Sequence, residues 1–344
     1  MVYFPVMRIA VIGLGFMGST HLKAWKNIPE AQLWAVVSQD EKKLAGDLSS
    51  IQGNLGGPGE KMDFSLVKKY HRAEEALRDP EVDAVDICLP TDQHAPVALA
   101  ALRAGKHVLV EKPMALDGVA ADALVAEGRK SGRVLMTGQV LRFIGAYSKT
   151  AERVKSGAMG QVRSAFFRRR CAAPAWSKWL GDPAKSGGGV FDLLIHDVDY
   201  CVHLLGKPAA VSATGYEKLE NGIDVIVAEF HYPAIGSVVI TGGWHHPKAY
   251  PFSMEFTVVG ENGTLDFSSE GRPLALYGAD GEKQELDAGG GDLFAAELRY
   301  FTDCVVHGKK PELCPPEESA LAVKLTRLMV ESRRKNGERI ACNF

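Results

Sequence analysis

The chain has 344 residues, of which 46% are hydrophobic and 24% charged, with a formal net charge of −2. That length accommodates two domains with separate cores, and the balanced charge argues against a nucleic-acid-binding surface, since the basic runs Arg168-Arg169-Arg170 and Arg333-Arg334-Lys335 are short and read as a strand edge and a helix end. Six scattered cysteines (Cys88, Cys171, Cys201, Cys304, Cys314, Cys342) form no C-x-x-C pair, which points to reduced core thiols rather than a disulfide framework or zinc cluster. The apolar start is interrupted at Arg8 and runs into a glycine loop, so it reads as a strand, not a signal peptide. No run approaches ~18 uncharged apolar residues, so no membrane span is expected and a reducing cytoplasm is the expected location.

In chain order, the first third alternates short apolar runs with helical patterns, the grammar of a parallel α/β sheet. Strands are expected at Arg8–Ile12, Leu33–Val37, Lys69–His71, Val82–Leu89, His107–Val110 and Val134–Thr137. Helices are expected near 16–28, 42–48, 74–78, 95–104 and 116–131. The Gly-, Ser- and Asn-rich stretch 49–64 reads as a surface loop. After about Gly138 the pattern changes. A helix near 147–156 precedes a strand at 162–170, and a Trp- and Gly-rich loop leads to a strongly patterned helix at about 190–205. From Ala209 strands follow at hairpin spacing: Phe252, Met254, Phe256 and Val258 alternate with polar residues, and Asn262-Gly263 and Asp280-Gly281 are turn signals. Helical patterns near 293–306 and 316–336 close the chain. The expected architecture is an N-terminal parallel Rossmann domain (1–137) and a C-terminal α+β domain (138–344) on a mostly antiparallel open sheet.

The first strand ends in Gly13-Leu14-Gly15-Phe16-Met17-Gly18, a G-x-G-x-x-G between strand and helix. Gly13 suits the tight turn, Gly15 lets backbone approach a pyrophosphate, and Gly18 permits close helix–strand packing, while the helix N-terminus offers unpaired N–H groups. NAD or NADP binding follows. Position 38 is Ser where a ribose-binding acid is usual, and Lys42 and Lys43 lie just beyond, which leans toward NADP and leaves NAD open.

Two further motifs fall where ligands gather, at carboxyl ends of parallel strands. Leu89-Pro90-Thr91, with His94, would flank the nucleotide. Glu111-Lys112-Pro113 would present a lysine, and Gln139 follows the last strand of the domain. In the second domain, Asp192 and His196 are four apart on one helical face, a spacing that lets a carboxylate fix an imidazole tautomer. Hydride transfer at a carbinol needs a base near the hydroxyl and a positive charge near the developing alkoxide. His196 suits the first task and Lys112 the second. Trp176 and Trp179 either stack on a sugar or the nicotinamide, or are core. Arg142 either reaches substrate or forms a structural ion pair. Tyr250, with His245 and His246, is a further pocket candidate.

The sequence resembles the Gfo/Idh/MocA oxidoreductases over nearly its whole length, on G-L-G-F-M-G at 13–18, E-K-P at 111–113 and D-L-L-I-H-D-V-D at 192–199. The resemblance implies NAD or NADP as cofactor, sugars, sugar derivatives or cyclitols as substrates, and Lys112, Asp192 and His196 as the catalytic group. Relatives of the family that cleave glycosides by oxidation, elimination and re-reduction on tightly held NAD make that the alternative activity. Two other classes remain: a metal enzyme using Asp192, His196, Asp199 and His203, which share a helix face, and a non-catalytic nucleotide sensor. A homo-oligomer through the C-terminal sheet is expected, with no nucleic-acid or membrane partner.

Overall fold

The computed structural model describes residues 6–53, 59–174 and 177–344. The chain forms two compact units, one comprising Met1–Val140 and Gly291–Ala320, the other Leu141–Gly290 and Leu321–Phe344. Segment 291–320 groups with the first unit, whereas the sequence pattern places everything after 138 in the second domain.

The first unit runs β1 (Met7–Ile12), α1 (Phe16–Trp25), β2 (Ala31–Val37), α2 (Glu41–Leu44), β3 (Lys68–Tyr70), α3 (Ala73–Arg78), β4 (Ala84–Ile87), α4 (Thr91–Arg103), β5 (His107–Glu111), α5 (Gly118–Ser131) and β6 (Leu135–Gly138). All pairings are parallel, in the order β3-β2-β1-β4-β5-β6. The central strands are buried on both faces, with Ile9, Ala10, Val11, Val85, Ile87, Val108, Leu109 and Val110 at 0% exposure. That is why they read as continuous apolar runs rather than alternating ones. Strand order reverses between β1 and β4, which puts the ligand crevice of such a sheet at their carboxyl ends.

The stretch 49–64 is not simply a surface loop. Leu48, Ile51, Met62 and Phe64 are buried, Asp47 bridges Lys61, and a Cβ on Gly53 would fall 1.9 Å from the Phe16 ring. Apolar residues spaced through a glycine-rich run have no regular period, so their burial left no trace in the pattern.

The second unit contains α6 (Gly145–Lys155), β7 (Val162–Cys171), α7 (Pro183–Ser186), α8 (Gly189–Leu205), β8 (Ala210–Lys218), β9 (Ile223–His231), β10 (Ser237–Trp244), β11 (Ser253–Gly260), β12 (Gly263–Ser268), β13 (Arg272–Gly278) and β14 (Lys283–Glu285). Then α9 (Leu293–Val306) belongs to the first unit, α10 (Pro316–Arg334) begins there, and β15 (Ile340–Ala341) closes the second sheet. Its nine strands run β14-β13-β12-β11-β7-β10-β9-β8-β15, antiparallel except for β7 with β10. Register sorts the faces. Ala213, Ala228, Ile240, Phe167 and Phe256 pair across five strands and are all buried on the side that packs beneath α8. The neighbouring row, Ser212, Glu229, Val239, Phe166 and Thr257, is half-exposed or exposed. No helix among the described residues is long and apolar enough to cross a membrane.

Candidate active site

The β1–α1 turn is shaped by its glycines. Gly13 has φ +100°, and a Cβ there would lie 2.6 Å from the Cys88 carbonyl oxygen. On Gly18 a Cβ would lie 1.9 Å from the Gly13 carbonyl oxygen, so bare backbone is what lets α1 close on β1. Gly15 differs: it is the N-cap of α1, and a Cβ on it would meet nothing within 4 Å. No side chain caps this helix end and its first turn holds no acid. The positive dipole end of the helix therefore suits an anion. Leu14 is buried, whereas Phe16 and Met17 are half-exposed.

The carboxyl ends of β4, β5 and β6 complete this edge. Leu89 and Pro90 are half-exposed. His94 is buried, with Nδ1 2.7 Å from the Pro113 carbonyl and Nε2 2.7 Å from the Leu89 carbonyl. It thus ties the two loops together, and burial lowers its pKa against the pull of those carbonyls. Lys112 is half-exposed and precedes Pro113 through a cis bond. Glu111 is buried and accepts the Lys112 N–H at 3.1 Å. Thr91 Oγ1 and Gln139 Oε1 are buried with no hydrogen-bond partner among the described residues, while the Gln139 amide donates to Ser319 Oγ at 3.3 Å. An open phosphate cradle beside unpaired polar atoms fits a pyridine nucleotide. After β2, Ser38 Oγ accepts the Asp40 N–H, and Asp40 caps α2 through the Lys42 and Lys43 N–H groups. The side chain of Ser38 is half-exposed and uncharged.

In the second unit, α8 is held from three sides. Asp224 Oδ2 accepts the Val190 N–H at its start (2.8 Å), and Arg333 pairs with the other oxygen of Asp224. Arg169 of β7 forks onto Asp197 at 2.7 and 3.1 Å. Arg142 forks onto Asp199 at 2.9 and 2.6 Å. Gly187 and Gly188 enter the helix at φ +83° and +95°, and a Cβ on Gly189 would strike the Trp244 ring at 2.5 Å, so the triple glycine is a packing device. These anchors fix the rotation of α8. Of its 17 residues only Asp192, His196 and Leu205 are not buried. Asp192 and His196 therefore form the polar, accessible stripe of an otherwise enclosed helix.

Other expectations sort differently. Arg142 has 0% side-chain exposure and is committed to Asp199, with His203 Nδ1 3.1 Å away; its substrate reading gives way to the ion pair. Asp199 and His203 face Arg142 and Lys155, which removes them from the supposed metal set. Trp179 is half-buried in a turn, and Trp176 lies outside the described residues. Tyr250 is half-buried, stacks on His246 at 3.8 Å and lies under Arg170 at 5.5 Å, and His246 in turn sits 4.1 Å from His245. Sequence reasoning missed Asp224 and Arg333, which pair across 109 residues, and a buried group around His21. His21 follows Gly18 by three residues, which is the only local hint.

Residues 7–139 match the model of an oxidoreductase family with an NAD-binding Rossmann fold, and residues 147–266 match the GFO/IDH/MocA C-terminal domain. The chain is 32% identical over 325 residues to myo-inositol 2-dehydrogenase of Thermotoga maritima, covering 89% of this chain and 90% of that protein. It is 27% identical to scyllo-inositol 2-dehydrogenase (NAD(+)) of Bacillus subtilis, covering 89% and 88%. The fold matches that of levoglucosan dehydrogenase in complex with NADH and levoglucosan, with a TM-score of 0.85 at 19% identity over 98% of this chain and 100% of that one. With both its domain types matched and its relatives aligned over most of their length, the chain belongs to the Gfo/Idh/MocA family of NAD(P)-dependent oxidoreductases.

Proposed function

We propose that this oxidoreductase acts on a carbinol carbon of a sugar, sugar derivative or cyclitol, with Lys112, Asp192 and His196 as its catalytic group. The observation that carries this reading is that Asp192 and His196 are the two half-exposed polar residues of the otherwise buried α8. The inositol dehydrogenases among its relatives support the substrate class. A bound nicotinamide supplies the hydride acceptor in one direction and the donor in the other.

The chain's own groups do the rest. In oxidation, His196 takes the hydroxyl proton and the Lys112 ammonium stabilises the negative charge that develops on oxygen. Asp192, one turn before His196, holds the imidazole in one tautomer. The first turn of α1 takes the phosphates, with Ser38 and Lys43 at the adenosine ribose. Lys112→Ala and His196→Ala are each expected to lower kcat by at least ~10²-fold on a responsive polyol while Kd for the cofactor stays unchanged. Near-normal turnover in either variant removes that residue from the mechanism.

The open face of the nine-stranded sheet supports a homo-oligomer. Tyr216, Val227 and Tyr277 are 57%, 52% and 44% exposed there. Light scattering at micromolar concentration should give a multiple of the 37.2 kDa chain mass, and a monomer refutes this.

A further inference from the structure

Beneath the glycine turn lies a buried acidic group with a histidine at its centre. His21 of α1 has 0% side-chain exposure. Its Nδ1 is 3.1 and 3.0 Å from the two carboxylate oxygens of Asp86 on β4. Its Nε2 is 3.2 Å from Glu111 Oε1, at the end of β5, an ion-pair distance without hydrogen-bond geometry. Glu297 of α9 is fully buried and brings a carboxylate oxygen within 4.8 Å of both His21 and Glu111. Asp86 also accepts Trp25 Nε1–H at 2.8 Å and the Cys88 thiol at 3.4 Å. The groups facing His21 are thus Asp86 from β4 and Cys88 just after it, Glu111 from β5 and Glu297 from α9, with the Phe294 ring 5.8 Å away.

Ionised carboxylates only accept hydrogen bonds, and neutral imidazole has one N–H. A neutral ring donating from Nδ1 to Asp86 would leave an Nε2 lone pair 3.2 Å from Glu111 Oε1, a repulsion that a second proton turns into attraction. Glu111 is clasped on its other side by the Lys112 N–H. Gly138 leaves room for this carboxyl, since a Cβ there would sit 3.1 Å from Glu111 Oε1. A path of direct contacts therefore runs from His21 through Glu111 to the Lys112 backbone.

We propose that His21 is a positioning residue for hydride transfer: as an imidazolium between Asp86 and Glu111, it fixes Glu111 and, through it, the backbone of Lys112. This rests on the role proposed for Lys112 above. Burial alone would push the His21 pKa down; the Asp86 carboxylate at its Nδ1 overrides it and holds it well above the ordinary histidine value. The stabilisation is therefore fully present below about pH 6.5 and is lost as pH rises through the elevated folded value. Once the proton leaves, a lone pair faces Glu111, the clasp on Lys112 loosens, and a displacement of about 1 Å at the reacting group costs on the order of 10²-fold in rate.

The first test uses the unmodified protein. ¹⁵N NMR of the histidine rings, with His21 assigned by the signals lost in His21→Gln, should show both nitrogens protonated at about pH 8, where an ordinary histidine is neutral. A single-tautomer neutral ring overturns the proposal. So does a stoichiometric bound metal that is lost in His21→Gln. The second test is Asp86→Asn, which removes one charge with little change in shape. The alkaline limb of its kcat profile should move down by about one pH unit or more, with kcat at about pH 8 reduced at least ~10-fold. A variant that melts earlier yet keeps the wild-type pH profile has lost only a structural contact and overturns the positioning role. Lys112→Ala separates the two readings. If it turns over normally, the catalytic assignment fails; if it is inactive while Asp86→Asn keeps the wild-type profile, this inference fails alone.

Discussion

The three glycines of the fingerprint make separable predictions, and Gly15→Ala is the informative one. Gly15 has φ −87° and ψ −157°, ordinary extended backbone, and an added Cβ meets nothing within 4 Å. In the free protein the substitution should be neutral or stabilise by about 0.4–1 kcal/mol, because alanine narrows the unfolded ensemble. With cofactor the methyl occupies space reserved for the pyrophosphate. Loss of one charge-assisted hydrogen bond to a phosphate, about 1.5–3 kcal/mol, weakens binding roughly 10- to 150-fold. Gly18→Ala behaves in the opposite way, since its Cβ would fall 1.9 Å from the Gly13 carbonyl oxygen. Gly13→Ala adds the cost of φ +100°, about 1–3 kcal/mol, to a 2.6 Å contact with the Cys88 carbonyl oxygen. Both should unfold at clearly lower urea concentration. Urea denaturation without cofactor, paired with calorimetric titration of NAD(H) and NADP(H), reads both quantities. If Gly15→Ala loses stability as Gly18→Ala does, or binds cofactor as the wild type does, the assignment of Gly15 to the phosphate cradle is wrong.

Ser38→Asp should shift preference toward NAD, with KM for NADP(H) rising at least ~10-fold as a carboxylate meets the 2′-phosphate; an unchanged ratio would place the ribose elsewhere. Asp197→Asn leaves Arg169 as an uncompensated buried guanidinium, since their side chains are 0% and 3% exposed. Urea unfolding should show a loss of about 3–5 kcal/mol, with much of it regained in Asp197→Asn/Arg169→Met. A loss under about 1 kcal/mol would mean that this pair does not anchor α8.

The parts of this molecule that were legible in sequence are those where local chemistry and local structure coincide. Gly13 and Gly18 announce a turn because each lacks a Cβ at a place where one would collide with backbone. The buried parallel strands read as apolar runs because both faces are covered. Asp192 and His196 stood out by helical spacing, but spacing could not tell them from Asp199 and His203, which follow the same period. The difference lies in what arrives from elsewhere in the chain. Arg142 and Lys155, 57 and 48 residues from their partners Asp199 and His203, turn those two into buried structural groups.

The same reasoning explains why the sequence pattern does not show that α9 groups with the first unit, nor what surrounds His21. The amphipathic pattern of 293–306 shows that a helix forms there, but not which sheet it joins. Its partners are His21, near Phe294, and Asn27, whose carbonyl accepts Arg299 across 272 residues. His21 itself looked like a polar residue on an ordinary Rossmann helix. Its meaning comes from Asp86, Glu111 and Glu297, three carboxyls far apart in sequence that meet at one imidazole. A polar core of this kind is invisible to hydrophobic periodicity, because each strand that contributes to it still reads as buried. Such groups persist in a dry interior only when their charges are matched. Here the proposed imidazolium sits on the helix whose first turn is proposed to take the cofactor phosphates, and through Glu111 it reaches the lysine proposed to meet the substrate, so the two sides of the first unit would share one electrostatic support.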